Sequence, residues 1–498
     1  MSFEWPLVTV EEIAAKQPNA MSTGPFGSAI SSKYFTDSGV PVIRGSNLST
    51  DISTRIIDKG IVFVSFEKAK EFSRSVAKVD DLVFTCWGTI NQVGLIDASS
   101  EWKEYIISNK QMKLTVDKNI ADPRYVYYVF SSPEKQLEII ANGIGAAVPG
   151  FNLGQLKKHS LKLPPLNIQR AIADHLELLD KKLTSNRQIN QTLEQIAQAL
   201  FKSWFVDFEP VKAKIAVLEA GGSQEEATLA AMTAISGKDT DSLAVFAHER
   251  PEQYAELKAT AELFPSAMQD SELGETPVGW ALKPFGHLLS HTIGGDWGKD
   301  IPDEKYKTQA RIIRGTDIYN IKSCQDGNIP TRFVEEKKLK TRGLIEGDII
   351  IEVSGGSPTQ PTGRSLFITN KVLERLSLPV EPASFCRLFR PINKEIGLML
   401  SLHLDKIYQD GKTWLYQNQS AGISNFQTKI FLDKEIVISP SKEIIEKFAK
   451  NIDPLFNLIY SSENIRLAHL RDTLLPKLLS GEITLPEAEQ AVSEAENV

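Results

Sequence analysis

His287 and His291 stand four residues apart, a spacing that would put both imidazoles on one helical face, as in a zinc site. No acid or thiol lies beside them, so they read as solvated or packing side chains. Pro302-Asp303, followed distantly by Glu335-Glu336-Lys337, is a loose form of the acid, acid, lysine pattern of metal-dependent nucleases. Lys337, however, opens a charged run, KKLK, that reads as a solvated face. Gly298-Lys299 is followed by Asp300 and lacks the upstream glycine spacing of a P-loop. Gly143-x-Gly145 has no third glycine where a dinucleotide fingerprint needs one, and no GxSxG elbow occurs. An Asn-Pro-Pro-aromatic tetrapeptide, which would hold an amine for methyl transfer, is absent, and LPPL at 163–166 is not one. Cys86, Cys324 and Cys386 lie far apart, which argues against a disulfide framework and a CxxC metal site and for a reducing cytoplasm.

With no catalytic set, no metal site and no cofactor site in the chain, binding remains. Six loops combine glycine with hydroxyl, amide, aromatic and basic groups: TGPFGSAISSKY (23–34), IRGSN (43–47), TCWGTINQ (85–92), WGK (297–299), IRGTD (313–317) and SGGSPTQPTGR (354–364). Arginine to guanine, Asn or Gln to adenine, and the Thr methyl to thymine are the pairings that read bases in the major groove. Lys, Ser and backbone amides serve phosphates. The competing reading is that these loops are turns whose glycines supply backbone geometry.

The net charge of −7 looks wrong for a nucleic-acid partner until it is divided along the 498 residues. Residues 206–278 carry 14 acidic and 5 basic side chains, a net of −9, and the tail 482–498 adds −5, so the remainder carries +7. The longest uncharged stretch, 139–156, contains Pro149 and four glycines and reads as a loop, so no membrane span is expected. The first residues, MSFEWPLVTVEEI, have neither the basic nor the apolar region of a signal peptide.

An internal repeat organises the rest. VPVIRGSNL (40–48) matches ARIIRGTDI (310–318), DLVFTCWG (81–88) matches DIIIEVSG (348–355), and FNLGQLKKHSLKLPPL (151–166) parallels FQTKIFLDKEIVISPS (426–441), at offsets of 270, 267 and 275 residues. Each copy opens with β-rich runs punctuated by Gly, Pro and Asp, with a short helix predicted near 123–140, so the class is mixed α/β. Each closes with an apolar heptad seam. The first runs through Ile172, Leu176, Leu179, Leu183, Leu193, Ala197, Leu200 and Trp204, with polar Asn186 and Asn190 in line. The second runs through Ile444, Phe448, Ile452, Leu455 and Ile459, then Ile465, Leu470, Leu474 and Leu478, with Pro454 expected to kink or divide it. Neither seam can be buried alone, so the two are expected to pair antiparallel about an approximate internal two-fold axis. The alternative is two ordinary amphipathic helices packed inside their own domains. Residues 207–278 read as an acidic connector with two short alanine-rich helices around Gly221-Gly222.

The chain resembles the specificity (S) subunits of type I restriction–modification systems over nearly its whole length. The marks are GPFGS (24–28), GVPVIRGSNL (39–48), DDLVFTCWGTINQVGLI (80–96), LPPLNIQRAIADHL (163–176), ALFKSWFVDFEPV (199–211), SELGETPVGW (271–280) and LRDTLLPKLLSGEI (470–483). The resemblance implies two similar α/β target recognition domains, 1–160 and 279–435, joined by two long antiparallel helices, 161–206 and 436–481. The connector 207–278 and an acidic tail, 482–498, complete the chain. It implies that each domain reads half of a split site in double-stranded DNA, and that two methyltransferase (M) subunits and the restriction (R) subunits dock on the chain. S-adenosylmethionine would then belong to the M subunits, and ATP and Mg to the R subunits. The second copy departs from the pattern, with IEVSGGSPTQPTGR where the first has FTCWGTINQ, which fits the unlike half-sites that the resemblance implies.

The candidate DNA contacts are Lys33, Arg44, Trp87, Thr89, Asn91 and Gln92 in the first copy and Arg314, Ser357, Thr359, Gln360 and Arg364 in the second. Arg44 and Arg314 recur in both copies, which favours phosphate contact over base reading. The rival readings are a self-contained restriction–methylation enzyme and a scaffold that does not bind DNA. Paired helices would hold the two half-sites a set distance apart. Lengthening both helices by one turn is expected to change the gap in the recognised site and leave the half-site sequences as they are, which mapping of the methylated motif checks.

Overall fold

Gly, Pro and Asp interrupt both copies every few residues, and the strands they bound are correspondingly short. The computed structural model describes residues 5–145, 149–325, 327–355, 360–420 and 423–496. The chain divides into two compact units, Met1–Asn186 with Arg466–Val498, and Arg187–Ile465.

In the first unit a four-stranded sheet has the order Met21–Thr23, Gln111–Thr115, Asp81–Thr85, Val93–Leu95. A five-stranded sheet contains the parallel pair Val40–Ile43 and Glu104–Ile107. The strand Asp81–Thr85 is buried on both faces, which is why it reads as a continuous apolar run. Leu82 and Phe84 face one core and Val83 faces another, the period-two division of a pleated strand. The helix expected near 123–140 is two helices, Pro123–Ser131 and Pro133–Ala141. Pro133 has no N–H to donate and drives Ser132 into extended backbone (φ −66°, ψ 145°), so the first helix ends there.

The helix Leu166–Phe205 runs unbroken for 40 residues. Within the first unit its Ile172, Ala173, Leu176, Leu179 and Leu183 are buried in one cluster with Leu467, Leu474, Leu475 and Leu478 of the helix Glu463–Ser480. Asn186, at the end of this stretch, is half-buried. Asp180 is enclosed beside that seam. It accepts from Arg471 Nη1 at 3.0 Å and from the Tyr128 hydroxyl at 2.7 Å, and the Asp180 and Arg471 side chains are each 6 % exposed. The acidic tail forms a helix, Leu485–Glu496, whose Ala488 is buried in the same cluster.

The second unit repeats the central pairings of the first, although its counterpart of the five-stranded sheet has three strands. Its four-stranded sheet has the order Leu289–Gly294, Cys386–Pro391, Ile349–Glu352, Ser365–Phe367. Tyr306–Ile313 runs parallel to Val380–Pro382 as Val40–Ile43 runs parallel to Glu104–Ile107. Ala281–Pro284 pairs with Ile436–Ser439 as Leu7–Thr9 pairs with Ser160–Lys162. The internal repeat is therefore a repeat of topology and register as well as of letters.

Here the last turns of the 40-residue helix pack on Lys442–Ile459. Trp204 and Phe205 meet Phe448 at ring-centroid distances of 5.5 and 4.7 Å. Phe448, Ile452 and Ile459 are buried, and Leu193, Leu200 and Leu455 are partly buried against them. Pro454 lies inside Lys442–Ile459 without ending it; the break comes six residues on, at Tyr460–Ser462. The amphipathic burial of this helix outweighs the one hydrogen bond that proline removes. Asn190 Nδ2 donates to the Ile459 carbonyl at 3.0 Å and Cys324 Sγ approaches the same oxygen at 2.8 Å, so the seam asparagine partners a carbonyl left over at a helix end.

The two helices expected around Gly221-Gly222 are Glu209–Glu219 and Gln224–Ser236; the connector 207–278 also holds the helices Thr240–Glu249 and Pro251–Leu263 and a hairpin. Asp239 caps the third, accepting from Ser242 N at 2.8 Å, and Pro251 opens the fourth. The buried Lys214 ammonium donates to the carbonyls of Ala261 (3.1 Å) and Phe264 (2.6 Å), tying the first connector helix to the end of the fourth. Among the described residues no helix is long and apolar enough to cross a membrane.

Arg471 also holds the half-exposed Asp472 carboxylate through Nε (2.9 Å) and Nη2 (2.8 Å), so losing Asp180 leaves the guanidinium with one acid while Arg471 Nη1 and the buried Tyr128 hydroxyl lose their acceptor. Asp180→Ala is therefore expected to destabilise the first unit by about 1–3 kcal/mol, the cost of buried donors left without an acceptor, measured as a shift in denaturant midpoint.

Candidate functional site

Each unit opens a cleft at the C-terminal end of its central strand. In the first unit the cleft encloses about 610 Å³. Thr85, Gln92 and Gln111 form its floor, Arg44-Gly45-Ser46 one wall, the turn Ser108–Lys110 another, and Trp87-Gly88-Thr89 the lip. In the second unit the cleft encloses about 740 Å³ between Arg314-Gly315-Thr316, Glu352, Ser354-Gly355, Gln360, Arg364, Ala383-Ser384-Phe385 and Trp297.

Main-chain hydrogen bonds establish that these are the same place in the two copies. Ser108 N donates to Ile43 O at 2.9 Å, and Ala383 N donates to Ile313 O at 2.8 Å. Cys86 N donates to Lys110 O (2.6 Å) as Val353 N donates to Phe385 O (2.9 Å). Thr85 N donates to Gln92 O (3.2 Å) as Glu352 N donates to Arg364 O (2.9 Å). Thr85 therefore corresponds to Glu352, Gln92 to Arg364, and Lys110 to Phe385. On one backbone scaffold the polar side chains are different.

The repeated arginines illustrate the difference. Arg44 N donates to Asn47 Oδ1 at 3.0 Å, and its guanidinium donates to the Gly60 carbonyl at 3.2 Å; it has no carboxylate partner among the described residues. Arg314 N donates to Asp317 Oδ2 at 2.8 Å in the same way, but its Nε and Nη2 also clasp that carboxylate at 2.9 and 2.7 Å. With Asp317 in place of Asn47 the second arginine is held side-on by a carboxylate, and Asn328 O takes a further Nη2 hydrogen at 2.9 Å, so its outer edge is also engaged. Asp317 also raises the arginine's pKa through those hydrogen bonds.

Gln92 is committed at both ends of its amide, accepting from Thr85 Oγ1 at 3.2 Å and donating to Leu48 O at 2.9 Å, which leaves one amide hydrogen for the cleft. Arg364 is held by Glu352 through Nε at 3.0 Å and Nη2 at 2.6 Å. Exposed rings rim both clefts: Trp87 is 50 % exposed and Phe385 67 %, and the Arg332 guanidinium lies 4.5 Å from the Trp297 ring centre. The thiols beside the clefts are poor nucleophiles, since burial pushes Cys86 and Cys386 each up to about 12. Amides, guanidinium groups and exposed rings together make a hydrogen-bonding and stacking surface.

Of the residues singled out from the sequence, Arg44, Trp87, Thr89 and Gln92 come together in one cleft and Arg314, Gln360 and Arg364 in the other. Lys33 and Asn91 are not among the lining residues; Lys33 sits on an exposed turn, its ammonium 4.7 Å from the Tyr34 ring centre. Ser357 and Thr359 lie outside the described residues. Sequence reasoning missed the turns Ser108–Lys110 and Ala383–Phe385, although the polar Ser-Asn-Lys between two apolar runs is a turn signal. His287 and His291 do not share a helical face: His287 is in a short 3₁₀ turn and His291 in a strand. Among the described residues no group of three or more His, Cys, Asp or Glu is placed to hold a metal.

Beneath the second cleft, two residues before its Ala383, Glu381 is fully buried, and neither carboxylate oxygen has a hydrogen-bond partner. Burial, aided by Asp296 and opposed by Arg342 and Lys338, pushes its pKa up to about 7.

The model of the type I restriction modification DNA specificity domain matches residues 24–195, a span that contains every lining residue of the first cleft. The chain is 33 % identical to the type I restriction enzyme HindI specificity subunit of Haemophilus influenzae over 392 residues, covering 76 % of this chain and 81 % of that one. It is 23 % identical to the MjaIX specificity subunit of Methanocaldococcus jannaschii over 439 residues, 86 % of this chain and 84 % of the relative. The crystal structure of the type I restriction–modification S subunit from M. genitalium aligns over 95 % of this chain and 96 % of its own, at 16 % identity and a TM-score of 0.47.

Glu381 gives the second unit a pH dependence of defined sign. An acid whose pKa is about 7 when folded, against about 4.3 when unfolded, binds its proton more tightly in the native state. Stability is therefore lost as pH rises from about 4 to about 7. Glu381→Gln is expected to remove that loss, so the variant exceeds the parent in urea melts at pH 8 and matches it near pH 4.

Proposed function

This chain belongs to the family of type I restriction enzyme specificity subunits, and from that membership we propose that it recognises a split double-stranded DNA site and directs M and R subunits to it. Each unit reads one half-site through its cleft. Arg44 and Lys110 in the first cleft serve phosphates, and the polar floor and the exposed rings meet base edges. Methyl transfer to adenine N6 from S-adenosylmethionine belongs to the M subunits, and ATP- and Mg-dependent translocation and cleavage to the R subunits. The chain itself supplies the address.

One observation carries this reading: the two clefts share the main-chain hydrogen bonds that frame them and differ in the side chains that face the opening. A scaffold used twice with its chemistry changed suits a protein that must read two unlike sequences with one docking geometry. Twin subunits of an ordinary scaffold protein would have no reason to keep the clefts and vary their floors.

The test is the methylome of a host expressing this chain with the M gene encoded beside it, against the same host without this chain. The expected result is a new N6-methyladenine motif in two parts with a constant gap. No new motif, with the M protein present and folded and retained by this chain in a pull-down, would overturn the reading.

A further inference from the structure

The Glu352–Arg364 pair has a division of labour that a surface ion pair lacks. The Glu352 side chain is 3 % exposed and the Arg364 side chain 21 %. The acid takes the Nε and one Nη2 hydrogen of the guanidinium side-on, which leaves Nη1 and the second Nη2 hydrogen as a fork on the outer edge. Arg364 lines the cleft. Such an edge matches the O6 and N7 acceptors that guanine presents in the major groove.

The backbone clears room for this arrangement. A Cβ on Gly315 would lie 2.7 Å from Glu352 Oε1, and one on Gly355, whose φ is +145°, would meet the same atom at 2.7 Å. In the first copy the corresponding Gly45 and Gly88 meet nothing closer than 3.7 Å. The glycines recur in both copies, but only in the second does a buried carboxylate require them. At the same place the first copy has Thr85 and Gln92, joined at 3.2 Å and uncharged.

Building on the function proposed above, we infer that Arg364 reads a guanine in the half-site of the second unit, with Glu352 as its positioning residue. The first unit lacks this contact, so the guanine requirement belongs to one half-site.

The experiment uses the full chain with its M partner, and methylation of duplexes carrying each base at every position of the mapped motif. The parent is expected to require guanine at one position of one half-site. Arg364→Ala should relax that position alone, lowering discrimination there roughly 5- to 100-fold, and leave the other half-site as stringent as before. Arg364→Lys keeps the charge and loses the fork, so it should relax the same position; Glu352→Gln should do so more weakly. On the unaltered protein, replacing that guanine by 7-deazaguanine should slow methylation, whereas the same replacement elsewhere should not. This arm needs no variant to fold.

A motif with no specified guanine in either half-site would overturn the inference. So would an Arg364→Ala protein that loses methylation evenly at all sequences, as a purely structural pair would, or a parent indifferent to 7-deazaguanine. Absence of any split motif in the parent would instead overturn the function on which the inference rests.

Discussion

A helix of 40 residues cannot bury its own apolar stripe, and much else in this protein depends on how that stripe is covered. In the first unit its early turns are closed by the helix Glu463–Ser480, nearly 300 residues later in the chain. In the second its late turns are closed by Lys442–Ile459 and by the ring cluster of Trp204, Phe205, Phe448, Phe264 and Trp280. The C-terminal segment is therefore as much a part of the first core as residues 5–186 are. The buried Asp180–Arg471–Tyr128 group adds polar partners within that apolar contact, which fixes how the helices meet at a cost that apolar side chains would not incur.

On each of these cores sits a similar scaffold, and it frames a cleft with main-chain hydrogen bonds that recur in both copies. Changing one side chain then changes the electrostatics without moving the chain. Asn47 and Asp317 accept the same main-chain N–H, yet only the aspartate also captures the arginine beside it. Thr85 and Glu352 end the same strand, yet only the glutamate holds a guanidinium. Duplication followed by exchange at the floor is an economical route from one binding surface to two of different preference.

The repeat was legible because main-chain register leaves a trace in apolar spacing. Strands such as Asp81–Thr85 and Ile349–Glu352 must be buried on both faces, so their letters are constrained and the offset survives. The two-helix break at Ser132-Pro133 and the last two connector helices were less legible. Their boundaries depend on single capping residues, whereas the composition of each segment looks uniform. The second segment does divide in two, but at Tyr460–Ser462 and not at Pro454, because tertiary burial sustains the helix that local propensity disfavours there.

By itself the sequence determined the duplication, the mixed α/β class, the heptad seams and the family, since each rests on spacing within one stretch of chain. Arg44, Trp87, Thr89 and Gln92 could be named from their loops, but not their company. Lys110 and Gln111 join them only because Gln111 pairs with Thr85 across the sheet. Tertiary structure alone decided that Arg44 stays available while Arg314 is clasped, and that Glu352 holds Arg364. Partnership between side chains depends on distances of about 3 Å, and those are set by packing from several segments at once rather than by any one of them.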